Sequence, residues 1–203
     1  MYNKILGRNP ESAGQTFFLN VLMDGYQSQR YFTALAISNS TEYRTDYIKT
    51  SFTLYLGRQA GTGDINYWLS QFGSGVSDQL FIADLAGSSE YFGNPKKGNN
   101  NNLTWLQSAF KDILGQTLDA NSQDFFMSEL SSGTSLTSAA FQMTSSQAFD
   151  NTTVVNLFKQ YLNRSPSGFD LAYWSSQLQA GLTIEQVLSQ ITSSQEYFFD
   201  AQQ

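Results

Sequence analysis

Apolar residues recur along this chain at helical spacing, and one helical pattern comes round four times. Phe52, Tyr55 and Leu56 stand at i, i+3 and i+4, as do Phe158, Tyr161 and Leu162, which places each trio on one face of a helix. That first helix stops at Gly7, Gly57, Gly115 or Asn163, residue types that tolerate the left-handed conformation just past a helix end. A second helix carries an aromatic pair ten and eleven residues later: Phe17–Phe18, Tyr67–Trp68, Phe125–Phe126 and Tyr173–Trp174. Four residues beyond each pair Leu22, Phe72, Leu130 or Leu178 falls on the same face, and the helix ends at Gly25, Gly75, Gly133 or Gly181.

A third helix opens at Ser77, Ser135 or Thr183, all good N-caps, and Thr183 with Gln186 has capping-box spacing. Its inward stripe is Leu80, Phe81 and Leu85 in copy two, and Ile184, Val187, Leu188 and Ile191 in copy four. Each copy closes on Tyr43, Tyr91, Phe149 or Tyr197, with a serine three positions earlier (Ser40, Ser88, Ser146, Ser194) placed to cap the next helix. No segment alternates as a strand would. The expected fold is all-α: tandem three-helix repeats, four copies, about twelve helices.

The copies group in pairs. Copies one and three share Phe-Phe, whereas copies two and four share Tyr-Trp and a Ser-x-Glu-Tyr ending. The extra residues between the pairs are the Asn- and Gly-rich stretch 93–102. The expected organisation is therefore two similar halves, 1–92 and 103–203, joined by a polar linker at 93–102 whose Lys96 and Lys97 are solvated charge.

Composition narrows the chemistry. The chain has no cysteine and no histidine, which removes disulfides, thiolate metal sites and the commonest catalytic base and metal ligand. A net charge of −6 disfavours nucleic acid as a partner. No run of about 18 apolar residues exists to insert into a membrane. Without His or Cys, the accessible catalytic design is a carboxylate pair, and no such pair recurs, so the chain is not expected to be an enzyme. Its surface of Ser, Thr, Asn and Gln with only 14% charged residues resembles that of secreted bacterial surface proteins. The opening residues lack the charged and apolar regions of a secretory signal, so the chain reads as excised from a larger protein or exported through a C-terminal signal.

Three sets of residues are candidates for chemistry. The pairs Tyr67–Trp68 and Tyr173–Trp174 could stack on sugar rings; burial at helix contacts is the favoured alternative, although neighbours about 100° apart on a helix should put one of each pair nearer the surface. Arg8, Arg58 and Arg164 lie just past a helix C-terminus, where a cation is favoured. They are expected to pair with Glu42, Glu90 and Glu196 as structural ion pairs, because copy three loses both partners together, having Gln116 and Ala148. Asp64 and Asp170 are weak candidates for a calcium site formed with backbone carbonyls, and better candidates for helix-start residues. No cofactor is otherwise expected.

Leu-Gly-Arg, then Gly-x-x-Tyr-Trp, then Gly, then Ser-x-Glu-Tyr resembles a bacterial domain family of unknown function found in tandem in secreted S-layer, haemolysin-like and calcium-repeat proteins. Copy four carries it best, as Leu162-Asn163-Arg164, Tyr173-Trp174, Gly181 and Ser194-Gln195-Glu196-Tyr197. The Gly-Arg and Ser-x-x-Tyr-Arg elements of copy one are also distantly similar to the phycobilisome linker domain. The glycine before Tyr-Trp is kept only as Gly14, with Asp64, Ser122 and Asp170 elsewhere. The resemblance implies a helical fold and an extracellular or cell-surface setting, with no catalytic residues. The expected function is a structural or interaction module that contacts other protein subunits in an S-layer or adhesive assembly. The alternative is a carbohydrate-binding module that tethers its parent protein to surface polysaccharide.

Overall fold

A computed structural model describes residues 1–22 and 27–200, with the side chains of 17, 18, 20–22, 199 and 200 outside the description. The pair Phe17–Phe18, Leu22 and Gly25 therefore lie outside the described residues. Among the described residues every regular element is helical. In chain order these are α1 (Tyr2–Leu6), α2 (Ser12–Leu22), α3 (Gln27–Ser38), α4 (Thr41–Ser51, continued by a π-helical turn Phe52–Leu56), α5 (Thr62–Gly73), α6 (Asp78–Ala86) and α7 (Ser89–Gly93). They continue as α8 (Asn102–Leu114), α9 (Ala120–Ser131), α10 (Leu136–Thr144), α11 (Gln147–Leu162), α12 (Gly168–Gln179), α13 (Ile184–Ser193) and α14 (Gln195–Asp200).

Local sequence signals set these boundaries. Gly7, Gly57 and Gly115 have φ of 70°, 70° and 66°, and Asn163 has φ 52°, so the first helix of each copy stops through a left-handed residue. Ser77, Ser135 and Thr183 accept the backbone N–H of Leu80, Ser138 and Gln186 at 3.2, 3.0 and 3.2 Å. Gln186 Oε1 reciprocates by accepting from Thr183 N at 2.8 Å, completing the capping box. Ser40, Ser88, Ser146 and Ser194 each accept the N–H of the closing aromatic three residues on, at 3.1–3.3 Å. A single serine thus ends one helix and starts the next at the same place in all four copies.

The chain forms two compact units, Met1–Arg44 with Thr153–Gln203, and Thr45–Thr152. These are not the expected halves 1–92 and 103–203. Unit one joins copies one and four, and unit two joins copies two and three. The reason lies in the third helices, whose apolar faces need partners: α3 packs on α13, and α6 on α10. Sequence periodicity identifies equivalent residues; it does not say which copies touch.

In unit one the α3–α13 contact is made of small and polar groups. Ala34 is fully buried, and Ser38 Oγ lies 3.2 Å from Ser189 Oγ in the interior. Beside them Arg44 Nη1 meets Glu185 Oε1 at 2.9 Å, with Glu185 almost wholly buried. The surrounding core is mostly aliphatic, with Ile5, Ile37, Val154, Leu157, Leu188 and Ile191, and includes Phe158, Tyr161 and Tyr197.

In unit two the α6–α10 contact is built on small residues, with one buried hydroxyl, Thr144 Oγ1 donating to Gln79 O at 3.1 Å. Ala83, Ala86, Ala139 and Ala140 are fully buried, and a Cβ added at Gly87 would lie 2.4 Å from the Thr137 backbone. Trp105 is also fully buried, and its indole N–H donates to Ala86 O at 2.7 Å, so its polar edge is satisfied.

The stretch 93–102, expected to be a solvated linker between halves, lies inside unit two and folds back on it. Gly98 N and Asn100 N donate to Tyr91 O and Phe92 O at 3.1 and 2.8 Å, and the Asn94 side chain donates to Leu56 O at 3.3 Å. Lys97 is not solvated charge: its Nζ donates to Asp112 Oδ2 at 2.6 Å and to Leu54 O at 3.0 Å. Polar composition misled because these side chains satisfy backbone groups at a helix end, which a loop rich in Asn and Lys does well.

Candidate functional site

Each candidate arginine meets its glutamate. Arg8 bonds Glu42 through Nε–Oε1 and through Nη2–Oε2 at 2.7 Å. Arg58 makes the same fork with Glu90 at 2.6 and 3.1 Å, and Arg164 with Glu196 through Nε–Oε1 and through Nη2–Oε2 at 2.9 Å. Every guanidinium also donates Nη1 to the carbonyl of the following residue at 3.1 Å. Each lies over the ring six positions back, Tyr2, Phe52 or Phe158, at 5.3, 4.9 and 4.8 Å. The fork, the carbonyl and the ring together use the guanidinium from several sides. The hydrogen bond from Arg8 holds the Glu42 carboxyl below its ordinary range. These arginines close their repeats, and none presents a free fork to an anion.

Copy three closes without the ion pair. Thr152 Oγ1 donates to Leu114 O at 2.9 Å, the tie that Asn94 makes to Leu56 in copy two. With Gln116 and Ala148 in place of the Arg and Glu, copy three keeps this neutral tie and not the ion pair that accompanies it in copy two.

Asp64 and Asp170, the weak calcium candidates, stand at the third position of helices α5 and α12 and are already engaged. Asp64 Oδ2 accepts from Arg58 Nη1 at 2.7 Å and from Gly61 N at 2.9 Å. Asp170 Oδ2 accepts from Arg164 Nη1, Ser167 N and Ser167 Oγ at 3.0, 2.9 and 2.8 Å. The Arg58 hydrogen bond lowers the Asp64 pKa; at Asp170 burial acts upward and is outweighed by the Ser167 and Arg164 bonds. In copy one Glu11 supplies the second acid to Arg8, at 3.1 Å. Among the described residues no three of Asp, Glu, His or Cys come together as a metal would require.

The aromatic pairs split between core and surface. Trp68 is 8% exposed and Phe126 9%, whereas Tyr67 is 57%, Phe125 53% and Tyr173 44% exposed. Burial of both members is therefore wrong, because adjacent residues on one helix cannot both face its core. Trp174 also departs from the expectation of a mostly buried indole: it is partly buried, set against the core of unit one.

Trp174 lines a groove of about 490 Å³ with Tyr31 and Phe32 of α3. Gln27, Gln190 and Ser194 supply its polar groups. Phe32 is 64% exposed. Sequence reasoning missed Tyr31 and Phe32, although a signal existed: twelve and eleven residues before the closing aromatic, copy three has Thr137 and Ser138. A larger hollow of unit two, about 650 Å³ beside Lys49, Thr53 and Leu54, has no aromatic ring.

The described residues thus form an all-α chain whose recurring charges close its own helices and whose aromatics stand partly outside. It belongs to the family described as a domain of unknown function, DUF4214, whose model matches residues 1–47 and 134–200. The two matched stretches take in the described residues of unit one. No curated protein and no solved structure matches the chain. Among the described residues no helix is long and apolar enough to cross a membrane.

Proposed function

We propose that this chain is a non-catalytic interaction module of a secreted bacterial cell-surface protein, working through contacts with other protein subunits in an S-layer or adhesive assembly. One observation carries the reading. In copies two, three and four the first aromatic of the pair, Tyr67, Phe125 or Tyr173, stands exposed, while the recurring charges of the repeat are used internally. Exposed rings on a weakly charged surface suit protein contacts, whose cores are rich in aromatics and poor in charge. Sedimentation velocity over a wide concentration range tests it. Self-association that Tyr67→Ser with Phe125→Ser weakens is expected; a chain that stays monomeric throughout, with or without calcium, overturns self-assembly through these rings.

A second reading, polysaccharide binding, is favoured by the groove of unit one, where aromatic rings converge with amide and hydroxyl groups. Protease shaving of intact cells tests the setting common to both readings, since release of fragments from this chain requires an extracellular location.

A further inference from the structure

We propose that the groove of unit one binds a neutral polysaccharide, with Trp174 as the platform for one sugar face and Phe32 and Tyr31 forming the opposite wall. The proposal rests on the second reading above and gives it a site. A pyranose ring offers an apolar C–H face and a rim of hydroxyls, so its receptor needs rings for the face and uncharged donors and acceptors for the rim. The groove has both: three aromatic side chains, the amides of Gln27 and Gln190, and the Ser194 hydroxyl. An amide both donates and accepts, as a sugar hydroxyl does. No carboxylate, ammonium or guanidinium lines the groove among the described residues. A charged sugar would be desolvated there without a counter-charge. The volume of about 490 Å³ falls within the range of roughly 300–1,000 Å³ usual for ligand sites.

Unit two surrounds its motif tryptophan differently. There the equivalent indole, Trp68, is covered by Phe81 and Phe72, with ring centroids 4.7 and 6.5 Å away, and Tyr47 lies 5.4 Å from Phe81 and 6.2 Å from Phe72. At the matching positions of copy four stand Thr153, Leu178 and Val187. Three rings have been replaced by smaller side chains on one side of Trp174, while α3 adds Tyr31 and Phe32 on the other. The row of aromatics also continues outward. Tyr173 meets Trp174 edge-on at 5.0 Å, and Phe169, 80% exposed, stacks parallel to Tyr173 at 6.3 Å and 10°. A strip of successive rings leading from the groove suits an extended glycan chain better than a single sugar.

Affinity electrophoresis of the full chain tests this, in gels containing galactomannan, glucomannan, mixed-linkage β-glucan or dextran, with alginate as the charged control. At least one neutral polysaccharide should retard the protein, and alginate should not. Phe32→Ala should weaken retardation by about tenfold, the value of one lost aromatic contact. Trp174→Ala should do at least as much. Phe141→Ala, an exposed aromatic of unit two, should change nothing; circular dichroism checks that each variant keeps its helices. Tryptophan fluorescence should respond to the bound polysaccharide, since Trp68 and Trp105 are buried and Trp174 is within reach. Retardation by no neutral polysaccharide overturns both the groove and the second reading. Retardation that survives Phe32→Ala and Trp174→Ala overturns the groove alone, and equal retardation by alginate overturns the selectivity for neutral chains.

Discussion

Unit two seals the tryptophan of its Tyr-Trp motif and unit one leaves it partly open, although copies two and four have the same two residues there. Trp68 sits in a cluster of Tyr47, Phe72 and Phe81, whereas Trp174 is backed by Leu178 and Val187 and faces the groove. The α3–α13 contact of unit one buries a hydroxyl pair beside an Arg44–Glu185 ion pair; the α6–α10 contact of unit two sets alanines around Gly87, with a single buried Thr144 hydroxyl bonded to Gln79 O. A motif thus fixes where a side chain starts on its helix, and the residues packed around it decide whether it is core or surface. Buried ionic and hydroxyl groups contribute little net stability but constrain how helices register.

The tryptophans offer the largest test of that contrast. Trp68→Ala should cost about 3–5 kcal/mol as a large-to-small core change. Trp174→Ala should cost roughly 1–2 kcal/mol, because only part of its area leaves water on folding. Urea unfolding followed by circular dichroism measures both, and equal losses would break the contrast.

Gly87→Ala comes next. The added methyl meets backbone at 2.4 Å, which cannot swing aside as a flexible side chain would, so α6 and α10 must separate. A loss of about 1–3 kcal/mol is expected, as for overpacking generally. Thermal unfolding reads it, and a neutral result would show that the helix contact is not close-packed.

The smallest effect comes from the closing ion pairs, of which unit one has two and unit two has one. Glu42 and Asp170 in unit one and Asp64 and Asp119 in unit two have depressed pKa values when folded. The unfolded carboxylates take protons first, near pH 4, so the stabilisation is complete above about pH 4 and is lost as pH falls through the lower folded values. Amide hydrogen exchange across that window should show both units loosening as these carboxylates take up protons. Glu196→Gln should cost less than about 1 kcal/mol, because the pair is partly exposed and screened by solvent, and added salt should shrink the difference.

Much of this molecule was legible in its sequence. The all-α class, the left-handed stops at Gly57 and Asn163, the caps at Ser77 and Thr183 and the serine before each closing aromatic depend on residues within a few positions of one another. Such local rules carry over unchanged from chain to structure. The Arg–Glu contacts were legible for a different reason: three copies keep both partners and one drops both, which reports contact at a separation of more than thirty residues.

The pairing of copies was not legible, because copies one to four present similar apolar faces and any of them offers a partner of the right kind. Packing settles which third helices touch, and with them that 93–102 folds into unit two. Nor was the groove, since Tyr31 and Phe32 lie more than 140 residues from Trp174. Their meeting depends on α3 lying against α13. Sequence by itself determined the helices and their ends, because hydrogen bonds and caps act over a few residues. Only tertiary structure decided what is buried, because burial depends on the volume of neighbours that the chain brings from far away.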